Sequence, residues 1–227
     1  MSLKIITFSF DDCTEDDVGL VEIFNKYKLK ATFNLNSAHL TNASKWMYKD
    51  TKEVRHINYF DAVDLYSGHE IAAHGYSHQF MEKLNKNTIN NEILLDCKLL
   101  SFLFNCEIRG FAYPFGTYSN EVKKALKSSG IRYSRTVKST YAFKAPDDFL
   151  EMNPTCHFTD PRLEELADDF LNSCSDGVQL FYIWGHSYEL VTDSDWNQFE
   201  KFCEKISGKS DMLYMTNIDA VNLINTR

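Results

Sequence analysis

The chain has 227 residues, of which 44% are hydrophobic and 25% are charged, a composition typical of a soluble globular domain with one sizeable core. Its net charge of −8, from 24 basic and 32 acidic residues, argues against a nucleic acid or an anionic membrane as partner. No apolar run is long enough to span a bilayer, and no linker or low-complexity tract divides the chain. We therefore predict one domain over residues 1–227.

Short apolar runs rich in β-branched and aromatic residues alternate with longer segments of helical periodicity. The predicted strands are Lys4–Phe10, Lys30–Asn36, His69–His74, Arg109–Tyr113, Ile131–Val137, Val178–Trp184 and Met212–Thr216. The predicted helices are Asp17–Tyr27, Asn91–Phe104, Glu121–Ser129, Arg162–Ser173, Trp196–Ile206 and Ile218–Ile224. Strand-then-helix units in this number predict an α/β fold whose parallel sheet, open or closed into a barrel, has helices outside it.

Polar residues stand where the predicted strands end. In strand order they are Asp11 with Asp12, Asn36, His74, Pro114, Arg135 and His186. In a barrel of parallel strands the chemistry lies at the mouth formed by the strand ends. Residues placed only for structural reasons would be scattered over both ends, so this convergence predicts a functional site at one mouth.

Two short motifs offer ligands for a divalent cation. HGYSH (residues 74–78) holds two imidazoles, and FSFDD (residues 8–12) adds two carboxylates at a strand end. Neutral imidazoles and a carboxylate are the ligands that hydrolytic metal sites use. Each motif alone is ambiguous, because histidine pairs are common and the acids could belong to a first helical turn. Two buried like charges are costly, however, unless a cation neutralises one of them.

Together, TFSFDD, HGYSH, FAYPFG and the late Gly-His after an apolar strand resemble the ordered motifs of the polysaccharide deacetylases, the NodB-homology carbohydrate esterases. These motifs run from Thr7 to His186 in the order of the family. The resemblance implies a single-domain distorted (β/α)7 barrel that binds one divalent metal ion, most often zinc, with cobalt, nickel or iron as alternatives. It also implies removal of N-acetyl or O-acetyl groups from an acetylated sugar or polysaccharide.

The resemblance assigns a role to each matching residue. The metal ligands of the family correspond to Asp12, His74 and His78, its general base to Asp11 and its general acid to His186. The residue whose backbone N–H helps to hold the oxyanion corresponds to Tyr113. In this scheme a water activated by the cation attacks the acetyl carbonyl while the base takes its proton. The acid then protonates the departing amine or alcohol.

Two features depart from the family pattern. Many members carry an arginine two residues before the proline of FAYPFG, where this chain has Ala112, and we expect Arg135 from the next strand to pair with Asp11 instead. The DxxDW segment of the family is not recognisable at its expected place. Either Glu189, three residues after His186, or Asp193 is a candidate to orient that imidazole.

Several residues near the predicted mouth have two possible roles. Pro114, Tyr118 and Trp184 are candidate substrate-binding residues, because aromatic faces stack on sugar rings, but such side chains more often pack in a core. His157 either lines the cleft or is a hydrogen-bonded structural histidine.

Two other functions remain open at this point. A non-catalytic sugar-binding barrel of the same fold would also fit the motifs, and two histidines with one carboxylate describe the facial triad of non-haem iron enzymes. Six scattered cysteines without a CxxC pair, and no recognisable signal peptide, favour a cytoplasmic location. The sequence does not predict the oligomeric state.

Overall fold

The computed structural model describes residues 3–41 and 44–226. Its strands are β1 Leu3–Asp11, β2 Ala31–Leu35, β3 Lys45–Tyr48, β4 Lys52–Arg55, β5 Glu70–Ala73, β6 Gly110–Ala112, β7 Tyr133–Arg135, β8 Cys156–His157, β9 Val178–Gly185 and β10 Met212–Tyr214. Its α-helices are α1 Asp17–Lys26, α2 Ser37–Thr41, α3 Tyr59–Leu65, α4 Lys86–Phe104, α5 Asn120–Ser128, α6 Leu163–Asn172, α7 Asp193–Ile206 and α8 Asn217–Asn225. All the predicted strands and helices are present, whereas β3, β4, β8, α2 and α3 were not predicted.

The main sheet is parallel and runs in the order β7-β6-β5-β2-β1-β9-β8. The long central strand β1 pairs through its carboxyl-terminal half with β2 and through its amino-terminal half with β10. Beyond β7 the curl continues, because Arg135 forms a parallel bridge with Met152. The sheet therefore forms a curled half-barrel with helices around it, which confirms the predicted class of fold.

Strand β1 shows how the sequence separates the two faces of the sheet. Its side chains alternate, so Phe8 and Phe10 lie on the face that packs under the helices, and Phe10 meets the rings of Phe24 and Phe199 at centroid distances of 5.8 and 6.0 Å. The alternate position Ser9 is fully buried on the inner face. The inner face of the barrel is thus polar as it approaches the mouth.

Two helices begin at least three residues earlier than predicted because side chains cap them. The Asn85 side chain accepts a hydrogen bond from the Thr88 N–H at 3.1 Å, so α4 starts at Lys86 rather than Asn91. A capping box between Thr192 and Asp195 starts α7 at Asp193 rather than Trp196.

Strands β3 and β4 form an antiparallel hairpin between α2 and α3. Its aromatic residues Trp46 and Tyr48 pack edge-on against Tyr188 at ring-centroid distances of 5.4 and 5.2 Å. The Lys52 ammonium donates to the carbonyl oxygens of Tyr188 and Leu190 at 3.2 and 3.0 Å. The hairpin therefore fixes the segment that follows β9, where the late Gly-His motif lies.

No helix within the described residues combines the length and apolar character needed to cross a bilayer. All six cysteines lie in the described part of the chain and are free thiols. The cytoplasmic location stays a prediction.

Candidate active site

The two adjacent aspartates face the same cavity because the chain turns between them. Successive side chains of a strand point to opposite faces, so Asp11 and Asp12 would normally diverge. Asp11 is the last residue of β1, and Asp12 has a left-handed φ of 78°, which is rare outside glycine. The turn brings both carboxylates into one cavity.

His74 follows β5, and hydrogen bonds fix both its imidazole ring and its backbone. Its Nδ1–H donates to the Ala112 carbonyl oxygen at 2.8 Å, which leaves Nε2 free as a ligand atom. Its backbone N–H donates to the Asp96 carboxylate at 3.1 Å, and Asn36 donates to its carbonyl oxygen at 2.7 Å. Burial lowers the pKa of His74 to about 4, although Asp11 opposes the shift, so the imidazole is neutral, as a ligand must be.

The three predicted metal ligands converge. Asp12 Oδ1 lies 3.7 Å from His74 Nε2 and 3.7 Å from His78 Nε2, and one ligand atom from each residue lies within 4.8 Å of the other two. Two ligand atoms bound tetrahedrally at zinc distances are separated by about 3.4 Å, so the triad fits one small divalent cation. Burial raises the pKa of Asp12, but His186, His74 and His78 outweigh it and lower that pKa below its ordinary value.

Asp11 is held through both of its oxygens. The Asn34 amide donates to Oδ1 at 2.7 Å, and the Arg135 guanidinium forms an ion pair with Oδ2. Arg135 is fully buried and stacks on the Trp184 indole, 4.4 Å from the ring centroid. The pairing expected from the sequence is therefore present, with an arginine from β7 at the place where Ala112 leaves none.

His186 lines the cavity beside the two aspartates. Its Nε2 is 3.9 Å from Asp11 Oδ2 and 3.8 Å from Asp12 Oδ2, and its Nδ1 is 3.5 Å from Glu189 Oε1. Burial lowers the pKa of His186, but Glu189, Asp12 and Asp11 outweigh it and raise that pKa to about 9. The imidazole is thus protonated at neutral pH, as a general acid must be.

His157 lies behind His186 rather than in the lining of the cavity. Its Nε2 is 2.9 Å from Glu189 Oε2, and its Nδ1 is 2.8 Å from the Thr159 hydroxyl. Burial raises the pKa of Glu189, but His157 and His186 outweigh it and lower that pKa to about 2. Glu189 therefore lies as a carboxylate between two imidazoles, an arrangement that the sequence analysis only half anticipated.

The cavity at the mouth has a volume of about 480 Å³. It is lined by Asp11, Asp12, His74, His78, Tyr113, Phe115, Gly116, Val137, Trp184, His186 and Tyr188. Of the candidate substrate-binding residues, Trp184 lines it, whereas Pro114 is buried and Tyr118 stacks on Tyr113 at 4.6 Å outside the lining. Tyr188, another aromatic residue of the lining, donates to Asp12 Oδ2 at 3.2 Å.

The backbone N–H of Tyr113, predicted to face an oxyanion, donates instead to the Arg135 carbonyl oxygen at 3.0 Å. This bond belongs to the ladder between β6 and β7, so it occupies the amide. In the same turn Gly116 and Thr117 donate to backbone oxygens and Pro114 has no N–H. Phe115, which lines the cavity with a φ of 57°, is the remaining amide of the turn.

Comparison with known proteins gives a consistent result. A family model described as Polysaccharide deacetylase matches residues 1–134, and no curated protein matches the chain. A Mycobacterium smegmatis structure described as a polysaccharide deacetylase aligns with a TM-score of 0.68 at 15% identity, over 98% of this chain and 90% of that one. A family 4 acetyl xylan esterase from Clostridium thermocellum, in complex with a cobalt ion, aligns at 0.60 and 15% identity, over 96% and 91%. A CE4 family pseudoenzyme from Bacillus anthracis aligns at 0.59 and 18% identity, over 96% and 65%. Identities this low show a shared fold alone.

Proposed function

Because the chain belongs to the polysaccharide deacetylase family, we propose that it is a metal-dependent hydrolase that removes acetyl groups from an acetylated carbohydrate. The observation that carries the proposal is the convergence of a cation-ligand triad, a held carboxylate and a protonated imidazole in one cavity. The bond cleaved is an N-acetyl amide or an O-acetyl ester. The substrate class rests on the family.

The cation would be held by Asp12, His74 and His78. Zinc suits two imidazoles and one carboxylate, and cobalt, nickel or iron could take the same ligands. When bound, such a cation supplies a Lewis acid that polarises the acetyl carbonyl and lowers the pKa of water.

Asp11 acts as the general base. Its Oδ2 atom is directed at the cation ligands, 3.7 Å from His74 Nε2, so the proton of the attacking water is taken there. Asn34 fixes the other oxygen, and the buried Arg135 balances the charge of the carboxylate. The two contacts hold the base in one orientation before the substrate enters.

His186 acts as the general acid and donates its Nε2 proton to the departing nitrogen or oxygen. Glu189 faces the opposite ring nitrogen, which orients the imidazole and stabilises its charged form. The oxyanion is stabilised by the backbone N–H of Phe115 rather than that of Tyr113, because the Tyr113 N–H donates within the sheet.

The decisive experiment measures acetate release from N-acetylglucosamine oligomers and from a generic acetyl ester, with zinc supplied and with a chelator. Release with zinc and its loss with chelator support the hydrolase. The control is the Asp11→Asn variant, which should bind zinc and release no acetate. A zinc-loaded protein that binds the oligomers but releases no acetate would refute the proposal and favour a non-catalytic barrel, as in the aligned pseudoenzyme.

A further inference from the structure

A second group of metal-type ligands lies beside the first. His157, His186 and Glu189, here called the rear cluster, place one ligand atom each within 4.8 Å of the others. The sheet produces this arrangement, because β8 pairs with β9 in a register that sets His157 opposite Trp184, two residues before His186. The rear cluster is therefore built by long-range strand pairing.

The spacing within the rear cluster suits a small cation. The distance of 3.5 Å from Glu189 Oε1 to His186 Nδ1 is close to the separation of about 3.4 Å between tetrahedral zinc ligands. The distance of 2.9 Å from Glu189 Oε2 to His157 Nε2 is about 0.5 Å shorter, so these two side chains would move slightly apart on binding a cation. The donor set, two imidazoles and one carboxylate, is the same as that of the triad formed by Asp12, His74 and His78.

Two polar atoms of the rear cluster are buried without a hydrogen-bond partner among the described residues. They are His186 Nδ1 and Glu189 Oε2. Both atoms are in ionic contact within the cluster, since Glu189 Oε2 lies 2.9 Å from His157 Nε2 and His186 Nδ1 lies 3.5 Å from Glu189 Oε1. A bound cation would coordinate the same three side chains in place of these contacts.

Thr159 fixes the ring of His157 from its far side. His157 Nδ1 is 2.8 Å from the Thr159 hydroxyl and accepts the Thr159 backbone N–H at 3.3 Å, so binding a cation at Nε2 requires the ring proton to move to Nδ1, where the hydroxyl can accept it. Metal-binding histidines usually have such a partner on the second nitrogen, because it fixes the ring orientation.

We propose that the rear cluster is a second, weaker divalent-cation site whose occupation inhibits the enzyme. A cation on His186 Nδ1 leaves a neutral imidazole whose remaining N–H cannot serve as a general acid near neutral pH. The site is the weaker one because His186 Nε2 lies only 3.8 Å from Asp12 Oδ2, so two cations would repel each other. The inhibition rests on the proposed function, whereas the binding does not.

The binding is tested by zinc titration calorimetry and equilibrium dialysis on the full chain. The wild-type protein is expected to bind two zinc ions with different affinities, and both Asp12→Asn and His157→Gln are expected to bind one. Glu189→Gln provides a second variant that should also lose only the weaker site. His56→Gln removes an imidazole from the separate His39–His56 pair, whose rings are 4.3 Å apart, and should retain both ions.

The inhibition is tested by acetate release as a function of zinc. Release by the wild-type protein should rise with the first equivalent and fall about 100-fold when the second site is saturated, the smallest contribution expected of a general acid. His157→Gln should show no fall at the second equivalent, relative to its own maximum. A single zinc ion in the wild-type protein, or two in both rear-cluster variants, would overturn the inference and leave the proposed hydrolase intact. A protein that binds two ions but releases no acetate would instead refute the hydrolase alone.

Discussion

Replacing Arg135 with methionine tests the buried pair on which the general base depends. The Arg135 side chain is fully buried and that of Asp11 is 3% exposed. Methionine keeps much of the length and can pack against the Trp184 indole, which now carries the guanidinium at 4.4 Å. The substitution therefore removes the charge with little loss of volume and leaves the Asp11 carboxylate buried with the Asn34 amide as its hydrogen-bond partner and His186 Nε2 3.9 Å away.

Removing one partner of a buried ion pair lowers the free energy of unfolding by about 3–5 kcal/mol, because the other charge stays buried without its counter-ion. For a chain of this size each kcal/mol lowers the melting temperature by about 2–4 °C, so Arg135→Met should melt about 6–20 °C lower. Replacing both partners, in Asp11→Asn with Arg135→Met, leaves no charge and should recover much of that stability. The cycle should show a coupling free energy of about 2–3 kcal/mol.

Urea denaturation of the four proteins, with chelator present, measures this coupling. The chelator matters because a cation beside Asp12 would give Asp11 another positive charge. Lys144→Met is the matched control, since Lys144 pairs with Asp147 at 2.7 Å, both side chains are largely exposed, and the loss should change stability by less than about 1 kcal/mol. Two outcomes would show that the pair is not the buried interaction described. In one, the stability changes of the two single variants add up to that of the double variant. In the other, Arg135→Met lowers the free energy of unfolding no more than the control does.

Three further outcomes are expected. Asp12→Asn should lose the zinc ion of the triad together with acetate release, whereas Asp11→Asn should keep that ion by metal analysis and lose release by about 100-fold or more; an Asp11→Asn protein with near-normal turnover would contradict its role as base. Burial raises the pKa of Asp17 from 3.8 to about 7, so the folded protein holds a proton that the unfolded chain releases, and the stability from this group is complete below about pH 4 and lost as pH rises through 7. The free energy of unfolding of Asp17→Asn relative to wild type should therefore rise by about 2–3 kcal/mol between pH 5 and 8 in urea titrations, and a constant difference would count against the shift. Gly185→Ala would place a Cβ 2.1 Å from the Phe158 ring, so it should cost about 1–3 kcal/mol, and unchanged thermal stability would show that the ring can move aside.

The sequence predicts the main sheet well because each of its principal strands carries its own signal. In β1 the buried phenylalanines alternate with buried polar residues, and the apolar run of β9 is long and continuous. The hairpin of β3 and β4 has no such signal, since most of its residues are exposed or half-buried. β8 has two residues and exists through its pairing with β9. Segments whose structure depends on a distant partner are the ones the sequence does not predict.

The same distinction applies within the candidate site. The metal ligands can be predicted from the sequence because His74 and His78 share one loop and Asp12 directly follows a strand. Local spacing and strand direction are sufficient to place these three residues together. The amide of Tyr113 could not be judged from the sequence. Its availability depends on the register between β6 and β7, which pairs Ala112 with Arg135 and so directs the Tyr113 N–H into the ladder. Backbone donors therefore need the tertiary structure.

The buried pair also bears on whether the barrel turns over substrate or only binds it. A buried ion pair is weak evidence for stability, because apolar side chains of similar volume are often equally good or better. The Asp11–Arg135 pair therefore gives the fold little that two uncharged residues could not supply. A barrel that only bound sugar would need neither charge, whereas a base that takes a proton beside a cation needs a carboxylate held in place and electrically balanced. If the uncharged double variant proves as stable as the wild-type protein and still binds oligomers, stability and binding cannot account for the pair, and catalysis remains its explanation.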